Sequence, residues 1–334
     1  MAESLKRRSR LLVAGDRESG RPSPEPAIQR QPTSFQRLSG SRRRPLSAEK
    51  LLYGVFLTPY SLAMLAFTLL ALGFGVVMSL LNVDLLAPAP LAFAGLSQYL
   101  QALKDATFWS SLKLTLYFIT VPVLLEVTLG LLLALLFQRS RLPTLLQALL
   151  LVPMFASPIV TGFLWLMFFT PHLGGIDGLL AVFHLPVVAW LDNGQTALIA
   201  VTVADVWEWT PFAFVFLLAA VRSLPAEPYE AALIDGANQW QTVRYITLPL
   251  LRTPLLTVTL LEIVNYLALL PLIYSMTGGG PGTATEPLDL YAFVQGFEYF
   301  NLSYAAALLV ILMGVMLIPA LALIAGLRRG MVKV

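Results

Sequence analysis

The sequence contains no cysteine, which excludes disulfides and thiolate metal sites. It has two histidines, His172 and His184. Both fall in one predicted loop, and neither has partners at metal-ligand spacing, so they read as solvated loop residues and no metal site is expected. No nucleophile–base or metal constellation appears, so no catalytic residue is assigned and an enzyme is not expected. No GxxxxGK[ST] loop occurs, so the chain has no phosphate cradle and no cofactor of its own is expected. No repeat of 20–50 residues is visible. Charge is scarce: 12% of residues are charged and 57% are apolar. Soluble domains run to about 25% charged and about 45–50% apolar. The chain therefore reads as an all-α, polytopic membrane protein.

What charge there is sits unevenly. Twelve of the 22 Lys and Arg precede Leu51, among them Lys6, Arg7, Arg8, Arg10 and Arg42, Arg43, Arg44. This stretch, residues 1–50, is rich in Ser, Pro and Gln and poor in aromatics, which predicts a disordered basic tail. It lacks the short apolar core and cleavage site of a secretory signal. Its basic groups are scattered and not interleaved with aromatics, so nucleic acid is not an expected partner. Membrane lipid headgroups are.

A membrane span needs about 20 mainly apolar residues. Six such runs are predicted, at 53–80, 111–137, 146–169, 197–221, 254–276 and 304–327. The intervening segments sort by charge. One set holds the tail, Arg139, Arg141, Arg222, Arg244, Arg252, Arg328, Arg329 and Lys333; the other holds only Lys104 and Lys113. The positive-inside rule then puts both termini in the cytoplasm. The domain reading is a tail at 1–50 and a six-helix domain at 51–330, with a cytoplasmic loop at 223–252. Trp109 and Trp190, in the outer segments, read as interfacial anchors.

Residues 227–248 read as helix–turn–helix. Pro228 suits a first helical turn, Asp235-Gly236 is a turn signal, and Gln239–Thr247 forms a second short helix. Pro249 marks a break before the fifth span. Ala231, Ala232, Ile234, Ala237, Trp240, Val243 and Ile246 give a partly apolar face. Such a loop either lies on the bilayer surface or docks a partner. A surface helix would carry several Lys or Arg, and only Arg244 is present, so partner docking is favoured.

Glu230-Ala231-Ala232-x-x-Asp235-Gly236-Ala237, followed by Ile246-x-Leu248-Pro249, resembles the EAA loop of the permease subunits of bacterial ABC importers. Three further segments resemble the carbohydrate branch of that family: Trp207-x-Trp209-Thr210-Pro211-Phe212, Ile273 to Pro281 with Thr283, Thr285 and Glu286, and Gly95-Leu96-x-x-Tyr99 with Phe108-Trp109. The likeness covers about residues 53–329. It departs at Ala268-Leu269-Leu270-Pro271, where the sugar branch often carries an aromatic–acid pair; Pro271 is expected to kink the helix there.

The resemblance implies a type I importer permease in the bacterial inner membrane. It implies a second permease subunit, usually a paralogue, cytoplasmic ATPase subunits and an extracytoplasmic solute-binding protein. ATP would be hydrolysed on the ATPase chains. The docking surface would be Glu230, Ala231, Ala232, Asp235, Gly236 and Ala237, with Gly236 at a positive φ. The solute would be a sugar; glycerol phosphate or another polar solute is the alternative within the family. A secondary transporter is the rival of another class, but it would need an ion-coupling site and leaves the loop unexplained.

Ionisable side chains inside spans usually face a bundle interior or a pathway. Asp205, Glu208 and Trp209 share one face of span four; Glu262, Asn265, Tyr266 and Leu269 share one face of span five. These two faces are the expected substrate path. For Glu262 and for Glu126 in span two, hydrogen-bonded helix packing is the competing role. No Lys or Arg lies at mid-depth, which favours a neutral, hydroxyl-rich solute. Tyr274, Gly278, Gly279, Gly280 and Pro281 stand at the external mouth, either as a gate or binding-protein contact or as an ordinary tight turn.

Overall fold

The computed structural model describes residues 46–83, 92–138, 144–171 and 174–331. Most of the expected tail, with Arg139, Arg141, His172 and Lys333, lies outside them. The chain divides into two units, 1–63 and 64–334. The described part of the first is helical, and its helix begins at Leu46, inside the stretch read as tail.

In chain order the helices are α1 (Leu46–Ser79), α2 (Ser97–Lys104), α3 (Ala106–Phe118), α4 (Val121–Phe137), α5 (Thr144–Leu151), α6 (Pro158–Phe169), α7 (Gly175–Val182), α8 (Gly194–Arg222), α9 (Glu227–Ile234), α10 (Gln239–Thr242), α11 (Leu248–Leu250), α12 (Arg252–Asn265), α13 (Leu269–Met276), α14 (Leu288–Phe293) and α15 (Leu302–Met331). Among the described residues, β-structure is limited to β1 (Leu81–Asn82), paired antiparallel with β2 (Ala92–Phe93). Five helical stretches are long and apolar enough to cross a bilayer: Gly54–Ser79, Ala106–Phe137, Gly194–Arg222, Arg252–Met276 and Leu302–Arg328.

The expected third span is not one helix. It is α5, a tight turn at Pro153–Phe155, and α6. The 12 residues of α6 reach only about 18 Å, short of the ~30 Å hydrocarbon core. Two prolines account for the break. Pro153 cannot donate within the helix it follows, and Pro158 drives Ser157 to an extended conformation at ψ 136°. The second span also bends, between Phe118 and Val121, where Pro122 sits in the first turn of α4 and its ring opposes the carbonyl of Phe118. In the fifth span the break expected at Pro271 falls one turn earlier, as a tight turn at Tyr266–Ala268. A proline clashes with the carbonyl four residues before it, here that of Leu267.

Helices in lipid gain little from burying apolar surface against one another, so close backbone approach and small residues hold them. The α4–α8 pair meets at Gly130, Ala134 and Ala213, the two alanines being fully buried. A Cβ on Gly130 would sit 2.7 Å from Ala213 Cβ and 2.8 Å from the Phe214 backbone nitrogen. The α6–α13 pair meets at Gly162, where an added Cβ would fall on Ser275 Oγ and 2.6 Å from the Leu272 carbonyl oxygen. One core cluster gathers around Phe214, Leu217, Leu251 and Val258. A second gathers around Phe118, Phe169, Leu272, Tyr291 and Tyr304. Trp190 is partly buried and packs against the second, its ring 5.6 Å from that of Phe169. Trp109 is 45% exposed and donates to the Leu103 carbonyl at 3.0 Å; Phe108 beside it is buried in α3, not in a loop.

Replacing Gly130 or Gly162 by alanine is expected to cost about 1–3 kcal/mol, since backbone must move to admit the methyl group. Gly314, with nothing within 4 Å of an added Cβ, is the control. Thermal midpoints of the purified protein in detergent should fall for the first two variants and hold for Gly314→Ala.

Candidate functional site

Glu126 from α4, Asp205 and Trp209 from α8, Glu262 and Asn265 from α12, and Tyr266 from the turn after it line one small cavity, together with Phe118 and Val123. Its volume is about 10 Å³, room for about one water molecule. The three carboxylates are buried, at 3%, 7% and 2% exposure for Glu126, Asp205 and Glu262. Asn265 Nδ2 donates to Glu262 Oε2 at 3.1 Å, while Glu262 Oε1 has no partner. The Tyr266 hydroxyl donates to Asp289 Oδ1 at 3.0 Å. Among the described residues, the cations on the five long helical stretches are Lys113, Arg222, Arg252 and Arg328, all within about two turns of a stretch's end. The cavity is lined by carboxylates, one amide and aromatic rings. These groups bind hydroxyls and offer no fixed positive charge.

Of the residues expected on this path, Asp205, Trp209, Glu262, Asn265 and Tyr266 come together. Glu208 does not line the cavity, although it is 1% exposed and its Oε2 lacks a partner. The reason is angular. At 100° per residue, Asp205 and Trp209 lie 40° apart on α8, whereas Glu208 lies 100° from Trp209. Glu126, weighed in the sequence between the path and helix packing, lines the cavity too. Its signal was the glycine four residues on, which brings that face of α4 against α8.

At the end of the bundle away from residues 223–251, two hydrogen-bond networks tie the connecting segments down. Asp105 caps α3 through the Thr107 N–H at 2.8 Å and accepts from the Tyr291 hydroxyl at 2.5 Å and the Tyr304 hydroxyl at 2.8 Å. Burial pushes its carboxyl up, but the two hydroxyls and the backbone N–H groups of Thr107 and Phe108 outweigh that and hold it below the usual aspartate value. Asp289 is pushed up to about 6, chiefly by burial, with the Tyr266 hydroxyl pulling the other way. Thr115 Oγ1 accepts from the Leu288 N–H at 2.9 Å, joining α3 to α14.

The glycine-rich run is a pinned turn. Gly278 and Gly279 have φ of 59° and 89°, values that favour glycine. Thr277 and Thr285 share a 2.7 Å hydroxyl hydrogen bond, and Thr285 Oγ1 donates to the Gly280 carbonyl at 2.9 Å. Gly279 is buried, Gly280 and Pro281 are partly buried, and Gly278 is exposed. Tyr274 is 46% exposed, its ring 5.4 Å from Phe293.

At the other end, α9 closes with a glycine cap. The Ala237 N–H donates to the Ala232 carbonyl at 2.9 Å and the Gly236 N–H to the Leu233 carbonyl at 3.2 Å, with Gly236 at φ 72°. Asn238 then opens α10 with a reciprocal capping box: its side chain accepts from the Gln241 N–H at 2.9 Å, and the Gln241 side chain accepts from the Asn238 N–H at 2.8 Å. The second helix does not stop at Thr247. It widens at Val243–Thr247, continues through α11, and breaks at Leu251, two residues beyond Pro249. Tyr229 and Thr247 hydroxyls, 3.0 Å apart, clip the two arms together. Glu230, Ala231, Asp235 and Gly236 are exposed and Ala237 is partly buried. Ala232 is 7% exposed, so it packs inside the loop and cannot present a surface, a correction to the expected set. Exposed instead are Leu233 at 75%, Ile234 at 88%, Trp240 at 70% and Tyr245 at 68%.

Asp105→Asn should lower the thermal midpoint at neutral pH. A carboxyl held below its ordinary value stabilises the fold above that value and loses the contribution as pH falls through it. The gap between variant and wild type should therefore narrow below about pH 4, which a pH series of melting curves would read.

A family model described as "Binding-protein-dependent transport system inner membrane component" matches residues 126–333. The chain is 37% identical over 211 residues to the trehalose/maltose transport system permease protein of Thermococcus litoralis, covering 63% of this chain and 70% of that one. It is 35% identical over 234 residues to the sn-glycerol-3-phosphate transport system permease protein of Rhizobium meliloti, covering 67% and 77%. Its fold matches a chain in the crystal structure of a bacterial ABC transporter involved in the import of the acidic polysaccharide alginate, with a TM-score of 0.71 at 20% identity, over 85% of this chain and 98% of that one. The fold is thus that of an ABC importer permease. The match over residues 126–333, more than half of the chain, makes this chain a member of the family of binding-protein-dependent transport system inner membrane components.

Proposed function

We propose that this chain is a permease subunit of an ATP-driven importer that passes a sugar, handed over by an extracytoplasmic binding protein, through a path shared with a second permease. Both termini and the 223–252 loop lie in the cytoplasm, and the loop docks on a separate ATPase subunit that carries the ATP site. The carrying observation is the loop. It is held by a glycine cap, a capping box and a hydroxyl clip, yet it leaves Leu233, Ile234 and Trp240 in the open. A chain exposes such a rigid apolar patch at a cost unless a partner covers it. The sugar reading is supported by the named solutes of the trehalose/maltose relative and by a cavity of hydroxyl-binding groups.

The cavity within this subunit holds about one water, so a sugar does not enter it in this conformation. Opening requires the helices that carry Glu126, Asp205 and Glu262 to separate. Helix α8 runs from this cavity to Arg222, at the root of the docking loop, and α12 begins where the loop ends. A pull on the loop therefore reaches the cavity through two helices.

The test is ATPase activity and uptake by the reconstituted complex with its binding protein. Liganded binding protein should stimulate hydrolysis and coupled uptake in wild type. Ile234→Asp and Gly236→Asp should each reduce both by tenfold or more while the protein still inserts. No atom lies within 4 Å of a Cβ added at Gly236, so that variant meets backbone strain and the docked partner, not a neighbour in its own chain. Uptake that persists without any ATPase would overturn the importer reading in favour of a secondary transporter.

A further inference from the structure

We infer that α14, with the glycine turn before it, is a movable cap on the end of the bundle away from the docking loop, and that the hydrogen bond from Tyr266 to Asp289 is the latch that holds it down. The inference rests on the importer reading, which requires the bundle to open at that end. Helix α14 connects α13 to α15, and a connecting segment normally runs over the surface. Here five of its six residues, Leu288 to Ala292, are buried. The segment is tucked into the bundle and not laid across it. Its two boundaries are places where the backbone can turn. Gly278, exposed and at φ 59°, follows α13 with no atom within 4 Å of an added Cβ. On the far side the helix widens at Val294–Glu298, and Phe300 sits at φ 58°, a left-handed value that a bulky residue adopts only under strain. Phe297 and Tyr299 are exposed, so that edge is not packed down.

The polar contacts of α14 fall into two groups. Tyr291 on α14 and Tyr304 on α15 both donate to Asp105, which ties α14 to its neighbour and to the start of α3. The second group joins three elements. The Leu288 N–H donates to Thr115 Oγ1 on α3 at 2.9 Å, and Asp289 Oδ1 accepts from the Tyr266 hydroxyl at 3.0 Å, which itself stands 3.4 Å from Thr115 Oγ1. Asp289 is 6% exposed, and its side-chain partner is a hydroxyl and not a cation. Water would solvate that carboxylate better than one hydroxyl does, and an apolar side chain of similar volume would seat α14 more firmly. The bond therefore fastens the helix weakly, which suits a closure that must be undone. Tyr266 is also the first residue of the break between α12 and α13. Two helical segments change their angle at such a break, so bending there carries the hydroxyl away from Asp289. Helix α12 begins where the docking loop ends, so a pull on the loop reaches the latch through one helix.

The chain has no cysteine, so a single introduced thiol on it reports alone. Ser111 is the position for it. The residue is fully buried, its hydroxyl has no hydrogen-bond partner to lose, and it stands one turn before Thr115 on the face of α3 that meets α14. Alkylation of Ser111→Cys by a membrane-impermeant maleimide, added outside the full complex in proteoliposomes, can be followed by the mass of this chain. Labelling should be slow at rest and about tenfold faster in a complex trapped with binding protein, ATP and vanadate. Tyr266→Phe and Asp289→Ala should each raise the resting rate about threefold or more, the effect of losing one hydrogen bond. The double variant should go no further than the larger single effect, because both changes remove the same bond. If one variant fails to assemble, the other and the trapped state still decide. A rate that does not rise on trapping, resting rates unchanged by either substitution, or effects that multiply in the double variant would each overturn the latched cap. ATP-driven uptake in the same vesicles separates the two readings. Uptake without these rate changes overturns the cap alone, and no ATP-driven uptake by wild type overturns the importer reading and the cap with it.

Discussion

The close approach of α4 and α8 at Gly130 places the rest of the site. Lipid supplies no hydrophobic force between helices, so the pair is held by contact between small residues, and contact that close leaves no freedom in register. Glu126 is one turn before Gly130. Trp209 and Asp205 are one and two turns before Ala213. Seating glycine against alanine thereby sets these three side chains at one level of the bundle. Helix α12 packs against both and completes the cavity with Glu262 and Asn265.

Backbone breaks do the complementary work. The turn at Tyr266–Ala268 lies against the cavity, as does the end of α3 at Phe118, and each precedes a proline by about one turn. Irregular backbone at membrane depth is tolerated where it is buried in protein or lines a cavity. The two breaks that border this cavity meet that condition, and they give the helices places to bend if the cavity is to open.

The two ends of the bundle are built differently. At one, carboxylates and hydroxyls on α3, α14 and α15 lock the connecting segments through Asp105, Tyr291 and Tyr304. At the other, the 223–251 loop is rigid within itself but turns apolar side chains outward. A locked end and a presented end suit a molecule that is gripped on one side.

Much of this was legible in the residues. Apolar run length specified the long helices, because the bilayer sets that length and little else competes. Asp235-Gly236 specified the loop's turn, because a positive φ is a local property of glycine. Helical period put Asp205 with Trp209 and Glu262 with Asn265. What the sequence could not decide by itself were questions of contact between segments. The period left Glu208 on the same broad face, and its 100° offset from Trp209 took it off the cavity only because the cavity is narrow. Glu126 joined the site through the register of Gly130 on α8, a relation between residues far apart in the chain. Ala232 reads like its neighbours in the sequence, yet the fold of the loop turns it inward and Ile234 outward. The third span broke because two prolines acted together against an apolar run that otherwise reads as continuous. Local conformation and hydropathy are written residue by residue; which faces meet, and how tightly, is settled only when the helices pack.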